Sequence, residues 1–275
     1  MPVRYLDNST SLANAQWSAK TRKQQWLSWL AWLLGVSLFI LCWKMISDNT
    51  LWVFVEDAPK QGADLISRMI PPQWSYTPNL WQPLWDTLNI ATFGTVLGII
   101  MAFPCAFLAA RNTTPHPLIR SAALMIIVSS RSINSLIWAM LLVTILGPGL
   151  LAGILAIALR SIGFVGKLLY EAIEEIHPTP VEAITATGAS RLQVMAYAVL
   201  PQVMPAFAGI SIYRWDINIR ESTVLGLVGA GGIGLQLNAA INTLAWDKVS
   251  MIFILIFATV LVSEWISAKV RKAFL

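Results

Sequence analysis

Apolar residues run almost unbroken through six stretches of the chain, roughly 26–46, 84–110, 121–146, 150–169, 202–228 and 249–268. Each comes close to or exceeds the ~20 residues a helix needs to cross a bilayer. The pattern predicts an all-α integral membrane protein with about six transmembrane helices in one membrane domain. No inverted repeat links the two halves. The first stretch, WLSWLAWLLGVSLFILCW, follows Lys20, Arg22 and Lys23 like a secretory signal. It is too long for a cleaved signal and no small-x-small site follows it, so it reads as a retained span.

Basic residues at the ends of the spans set the orientation. Lys20, Arg22 and Lys23 place residues 1–25 in the cytoplasm as an N-terminal tail, and Lys269, Arg271 and Lys272 do the same for a C-terminal tail at 269–275. Two ends on one side need an even number of spans, which six satisfies. After the first span at 26–46, residues 47–83 become a periplasmic loop. Its PPQWSYTPNLWQPLW segment is aromatic and proline-broken, suited to lying on the outer surface. Residues 84–268 form a core of five spans with a cytoplasmic loop at about 170–201. The expected location is a membrane, crossed several times, with both termini cytoplasmic.

Composition agrees with that reading. Only 12% of the 275 residues are charged, against roughly 25% in soluble domains, and the mean hydropathy is +0.65. Thirteen tryptophans match a chain with two lipid–water interfaces. The net charge of +5 forms no patch, which excludes nucleic acid and leaves membrane lipid as the surrounding partner. Cys42 and Cys105 read as small buried hydrophobes.

The cytoplasmic loop carries the clearest local chemistry, in TPVEAITATGASRLQVMAYAVLP, residues 179–201. Thr179 as N-cap, Pro180 at the first helical position and Glu182 three residues after the cap make a capping box with a proline start. Gly188 ends that helix. Ser190 and Gln193 repeat the cap spacing and open a second short helix, which should stop before Pro201. Val181, Ile184, Leu192, Met195 and Val199 supply apolar contacts at helical spacing.

This hairpin resembles the coupling loop of ABC importer permeases, whose signature is Glu-Ala-Ala, a Gly six residues after the Glu, then Ile-x-Leu-Pro. Glu182, Ala183, Gly188, Leu200 and Pro201 match, while Ile184 and Ala198 replace the second alanine and the isoleucine. The resemblance runs from about residue 70 to the C-terminus and is strongest toward permeases for phosphonates and phosphite. SRSINSLIWAMLL, GFVGKLLYEAIEEI and YRWDINIRESTVLGLVGAGGIG also carry it. It implies the type I ABC importer permease fold and a working pair with a second copy of the chain. Two ATPase subunits would dock on the loop, and a periplasmic solute-binding protein would serve the outer face. ATP-Mg would be bound by the ATPase, with no cofactor in this chain.

GAGGIG, residues 229–234, fits G-x-G-x-x-G, but it follows an apolar helix without a βαβ unit, and there is no G-K-[ST]. A nucleotide site is therefore excluded; glycines near the end of a span let helices pack closely or break, and the resemblance implies that this segment turns the fifth span at the outer side. No nucleophile–base pair or metal cluster points to an enzyme.

Ionisable side chains inside spans are costly and mark functional positions. Arg131, Arg160, Arg214, Arg220 and Glu221 are the candidates for the translocation path or its gate, with Asp216 beside them. Asp216 and Arg220 lie within about 40° on one helix face and can pair directly. Arg214 and Glu221, seven residues apart, are expected to find partners on other spans. Four arginines against two carboxylates leave a positive surplus that an oxyanion in transit would offset. The alternative is a stand-alone secondary transporter or channel for a small anion, which would show paired broken helices; only one glycine break is legible.

Overall fold

The computed structural model describes residues 22–274, so Lys20 and the rest of the N-terminal tail lie outside the described residues. Contacts divide the chain after Gly62. In the first unit, α1 (Arg22–Asn49) has 28 residues and buries none of them. It is apolar on every side, and such a helix needs lipid or protein around it. Cys42 is exposed on it, not buried as expected. The region assigned to a periplasmic loop is largely helical: α2 (Trp52–Met69) occupies its middle, crossing the division.

In the second unit, α3 (Thr77–Ala109) starts seven residues before the predicted span, with Pro78 in its first turn, where a missing N–H costs nothing. The proline-broken stretch thus ends at Gln73, and a short 3₁₀ turn (Trp74–Tyr76) leads into the helix.

The third predicted span is not one helix. α4 (Pro117–Ser132) and α5 (Ser135–Leu146) meet at 89°. Ile133 and Asn134 leave the helical conformation, and Asn134 Oδ1 accepts the Leu136 amide at 3.1 Å as the cap of α5. So the chain contains a second interruption that its apolar pattern conceals. α6 (Leu150–Glu174) follows, then the hairpin helices α7 (Pro178–Ala186) and α8 (Arg191–Val194), then α9 (Leu200–Leu225). A 3₁₀ turn and the glycine run lead to α10 (Ile233–Asn242), absent from the sequence reading, and α11 (Trp246–Phe274) closes the unit. Residues 269–274, assigned to the C-terminal tail, continue α11. Among the described residues five helices are long and apolar enough to span a membrane, or six if the bent α4–α5 pair counts as one. Among the described residues every regular element is helical.

α3 and α6 form the centre of this unit because small residues let their backbones approach. Gly94 and Gly98 lie one turn apart on α3. A Cβ at Gly94 would stand 2.7 Å from Ile157 Cγ2, and one at Gly98 would stand 2.5 Å from Ser161 Cβ. This contact fixes Ser161 in the interior, where α9 reaches it. At the other side of α6, Ser130 Oγ of α4 accepts the Gly163 amide at 2.8 Å and donates to the Leu159 carbonyl. Those two groups pair with each other in a regular helix, so α4 takes hold of α6 beside Arg160.

The glycine run after α9 does turn the chain. Gly229, Gly231 and Gly232 have φ of 89°, 84° and 75°, left-handed values that other residues rarely adopt. The turn delivers the Ile233 amide to Thr87 Oγ1 at 2.8 Å, tying α10 to α3.

Candidate functional site

Two features stand at different levels of the second unit: the α7–α8 hairpin at one end, and a charged cluster between α6 and α9.

The hairpin starts one residue earlier than its sequence implied. His177, not Thr179, is the N-cap of α7, and it makes no side-chain cap bond; Pro178 takes the first helical position. Gly188 ends the helix with φ of 80°. The second box is as expected: Ser190 Oγ accepts the Gln193 amide and Gln193 Oε1 accepts the Ser190 amide at 2.8 Å. Glu182, Ala183 and Gly188 are exposed, and so is Leu192, which was expected to pack inward. Val181, Met195 and Val199 do pack, against Phe107 of α3 and Leu169 and Ile173 of α6. Gln202 accepts the His177 amide at 3.1 Å and donates to the Ala198 carbonyl at 2.8 Å, pinning the start of α7 to α9.

The second hairpin helix does not stop before Pro201. α8 passes through a π-helical turn (Met195–Val199) directly into α9, with Pro201 in the first turn of α9. The wide turn explains the continuity. Proline lacks the N–H that an α-helix would use and its ring crowds the carbonyl four residues earlier; a locally widened turn relieves both. Residues 191–228 thus form one helical rod, with Leu200 and Pro201 at its joint.

Further along α9, Arg214 is 1% exposed and Glu221 20%. Both find partners on α6, as expected, but their side chains also meet each other, which was not: both guanidinium Nη atoms lie 3.4 Å from the two carboxylate oxygens. Two turns separate them, and both side chains reach along the axis to meet. Arg160 of α6, 30% exposed, places its Nε 3.4 Å from the same carboxylate. Arg214 is further held by Ser161 Oγ at 3.0 Å, and its guanidinium carbon sits 5.1 Å from the Phe164 ring centroid. Asn218, one turn on, donates to Thr95 Oγ1 of α3 at 2.7 Å and to Ser161 Oγ at 3.1 Å. Ser161, Phe164, Asn218 and Thr95 were all missed from sequence. Asn218 was findable, since its spacing of four from Arg214 sets it on the same face.

Two arginines share one carboxylate, so this cluster carries one surplus positive charge. Arg220 pairs with Asp216, as their spacing implied, and Ser263 of α11 donates to Asp216 at 3.0 Å. That group is neutral. Arg131 joins neither. It stands at the last turn of α4 before the bend, lining a cavity of about 260 Å³ with Lys167 and Tyr170, without an ion-pair partner among the described residues.

Comparison with known proteins agrees with this architecture. The family model for the binding-protein-dependent transport system inner membrane component matches residues 94–273. A phosphite transport system permease protein (PtxC) of Stutzerimonas stutzeri is 42% identical over 249 residues, covering 90% of this chain and 89% of that one. A phosphate-import permease protein (PhnE) of Mycolicibacterium smegmatis is 40% identical over 226 residues, covering 81% of this chain but 42% of that longer one. Among solved structures, the inward-facing MetNI methionine ABC transporter superposes with a TM-score of 0.63 at 20% identity, covering 74% of this chain and 99% of that one; at that identity the likeness is one of fold. With this fold and these relatives, the chain belongs to the family of binding-protein-dependent transport system inner membrane components, as a permease subunit of an ABC importer with the type I fold.

Proposed function

We propose that this permease moves a phosphorus oxyanion, phosphite or a phosphonate, across the inner membrane by alternating access driven by ATP. Its working form is a pair of identical chains with two ATPase subunits, which bind ATP-Mg, and a periplasmic solute-binding protein. The hairpin end faces the cytoplasm and both termini lie there. Glu182, Ala183 and Gly188 present the docking face to the ATPase, while Leu200 and Pro201 join it to the spans. Arg131, Arg160, Arg214, Arg220 and Glu221 line or gate the path.

One observation carries the coupling: the hairpin and the charged helix are a single rod. A displacement of α8 reaches Arg214, Asp216, Arg220 and Glu221 without crossing a flexible loop. The names of the phosphite and phosphate relatives support the cargo class, and so does the surplus arginine charge, whose planar fork fits P–O groups. ATP closure then need only favour one of two packings, because a partner shifts an equilibrium by its differential binding alone.

The test is reconstitution in liposomes with a cognate ATPase and binding protein. Phosphite or methylphosphonate should accumulate only with ATP and all components present. Accumulation by this chain alone without nucleotide would overturn the reading in favour of a self-sufficient anion transporter.

A further inference from the structure

We infer that Glu221 is a built-in substitute for the cargo anion, and that Arg160 is the arginine that exchanges this carboxylate for a tetrahedral oxyanion as it passes. This inference rests on the importer reading above and assigns a binding site within it.

The two arginines on Glu221 are held very differently. Arg214 is locked: it is 1% exposed, Ser161 takes its Nε, both Nη atoms face the Glu221 carboxylate, and its guanidinium carbon lies over the Phe164 ring. Arg160 approaches Glu221 with Nε at 3.4 Å and is 30% exposed, and its two Nη groups make no hydrogen bond among the described residues, which leaves them able to take an oxyanion edge. A guanidinium binds P–O groups best through two parallel N–H contacts, and Arg160 has that pair of donors unspent. It sits ten residues into α6, about 15 Å along the helix, near half the ~30 Å depth of a hydrocarbon core. Water solvates a charge poorly there, so a lone arginine needs a counter-ion at every stage. With cargo absent, Glu221 fills that role for both arginines. With cargo present, the oxyanion takes Arg160 and Glu221 keeps Arg214, leaving each cation with its own partner. One carboxylate for two arginines is the charge balance this exchange requires. A chloride ion offers one contact where the tethered carboxylate already offers one, so it gains little; a bidentate oxyanion gains a second.

The test uses the permease pair assembled with its ATPase in nanodiscs, with inorganic phosphite as probe. In Glu221→Gln the substitute is gone, so millimolar phosphite should raise the thermal midpoint by several degrees, whereas chloride at equal ionic strength should not. Adding Arg160→Gln to that variant should abolish the shift. No phosphite shift in Glu221→Gln, or a shift that survives Arg160→Gln, overturns the proposal. Should Glu221→Gln not assemble, Arg160→Lys decides. It keeps the charge and the ion pair but loses the fork, so phosphite uptake should fall at least tenfold at an equal yield of assembled complex. Unchanged uptake in Arg160→Lys overturns the proposal by showing that Arg160 only holds Glu221. Absence of stimulated hydrolysis in the unaltered complex would sink the importer reading itself, and this inference with it.

Discussion

Arg214 and Glu221, seven residues apart on α9, face each other through two 3.4 Å contacts while Arg160 approaches the same carboxylate from α6. The pair is intrahelical, yet it depends on α3 and α6, whose Thr95 and Ser161 hold Asn218 and Arg214 in place. A carboxylate shared in this way has an outsized effect when removed.

Glu221→Gln leaves a buried Arg214 without its counter-ion. Breaking a buried pair costs about 3–5 kcal/mol, and the partial exposure of Glu221 places this case near the lower end. The melting midpoint in detergent should drop sharply, whereas Arg160→Gln, which empties a more exposed position, should lower it much less. Equal drops for the two variants would contradict the burial difference.

Gly188 has positive φ and open space where a Cβ would go, so substitution there tests backbone strain separately from crowding. Gly188→Val should strain the turn by about 1–2 kcal/mol and reduce ATP-driven uptake in the assembled transporter. Gly188→Asn tolerates the left-handed conformation and should retain most of it. The comparison is made on uptake rates at matched protein levels; an equal loss in both variants would point to the added bulk.

The π turn at Met195–Val199 predicts a rescue. Deleting Ala196 would close the wide turn and bring the Pro201 ring against a carbonyl one turn earlier, costing about 3 kcal/mol. Thermal unfolding should register that loss. Pro201→Ala in the same deleted chain should recover most of it, since the clash and the missing donor vanish together. No recovery would mean that the turn is wide for another reason.

Gly98→Leu should be among the most damaging changes in the second unit. Even its Cβ would meet Ser161 Cβ at 2.5 Å, so α3 and α6 must separate, displacing the hydroxyl that Arg214 and Asn218 share. Loss of folded, detergent-stable protein is expected, and size-exclusion profiles would show it. A variant that remains monodisperse and fully stable would contradict close α3–α6 packing.

The sequence alone determined the membrane setting, most of the helices, the family resemblance and, in the hairpin, the Gly188 turn and the Ser190–Gln193 capping box. All of these rest on local quantities: runs of apolar residues, cap spacing at Ser190 and Gln193, and the glycine at 188. The Asp216–Arg220 pair was equally legible, because four residues on one helix fix a direct neighbour. Tertiary structure decided the rest. The 89° break at Ile133 and Asn134 lies within residues apolar enough to pass for one span, and it is held by the Asn134 cap of α5 together with the lodging of Ser130 against α6. Pro201 looked like a stop because proline removes one α-helical bond, while the π turn that absorbs it depends on Val199 packing against α3 and α6. That Arg160, Arg214 and Glu221 share one site depends on Gly94 and Gly98 letting two helices close to contact. Charge spacing along a single helix carries no information about which neighbour will stand beside it.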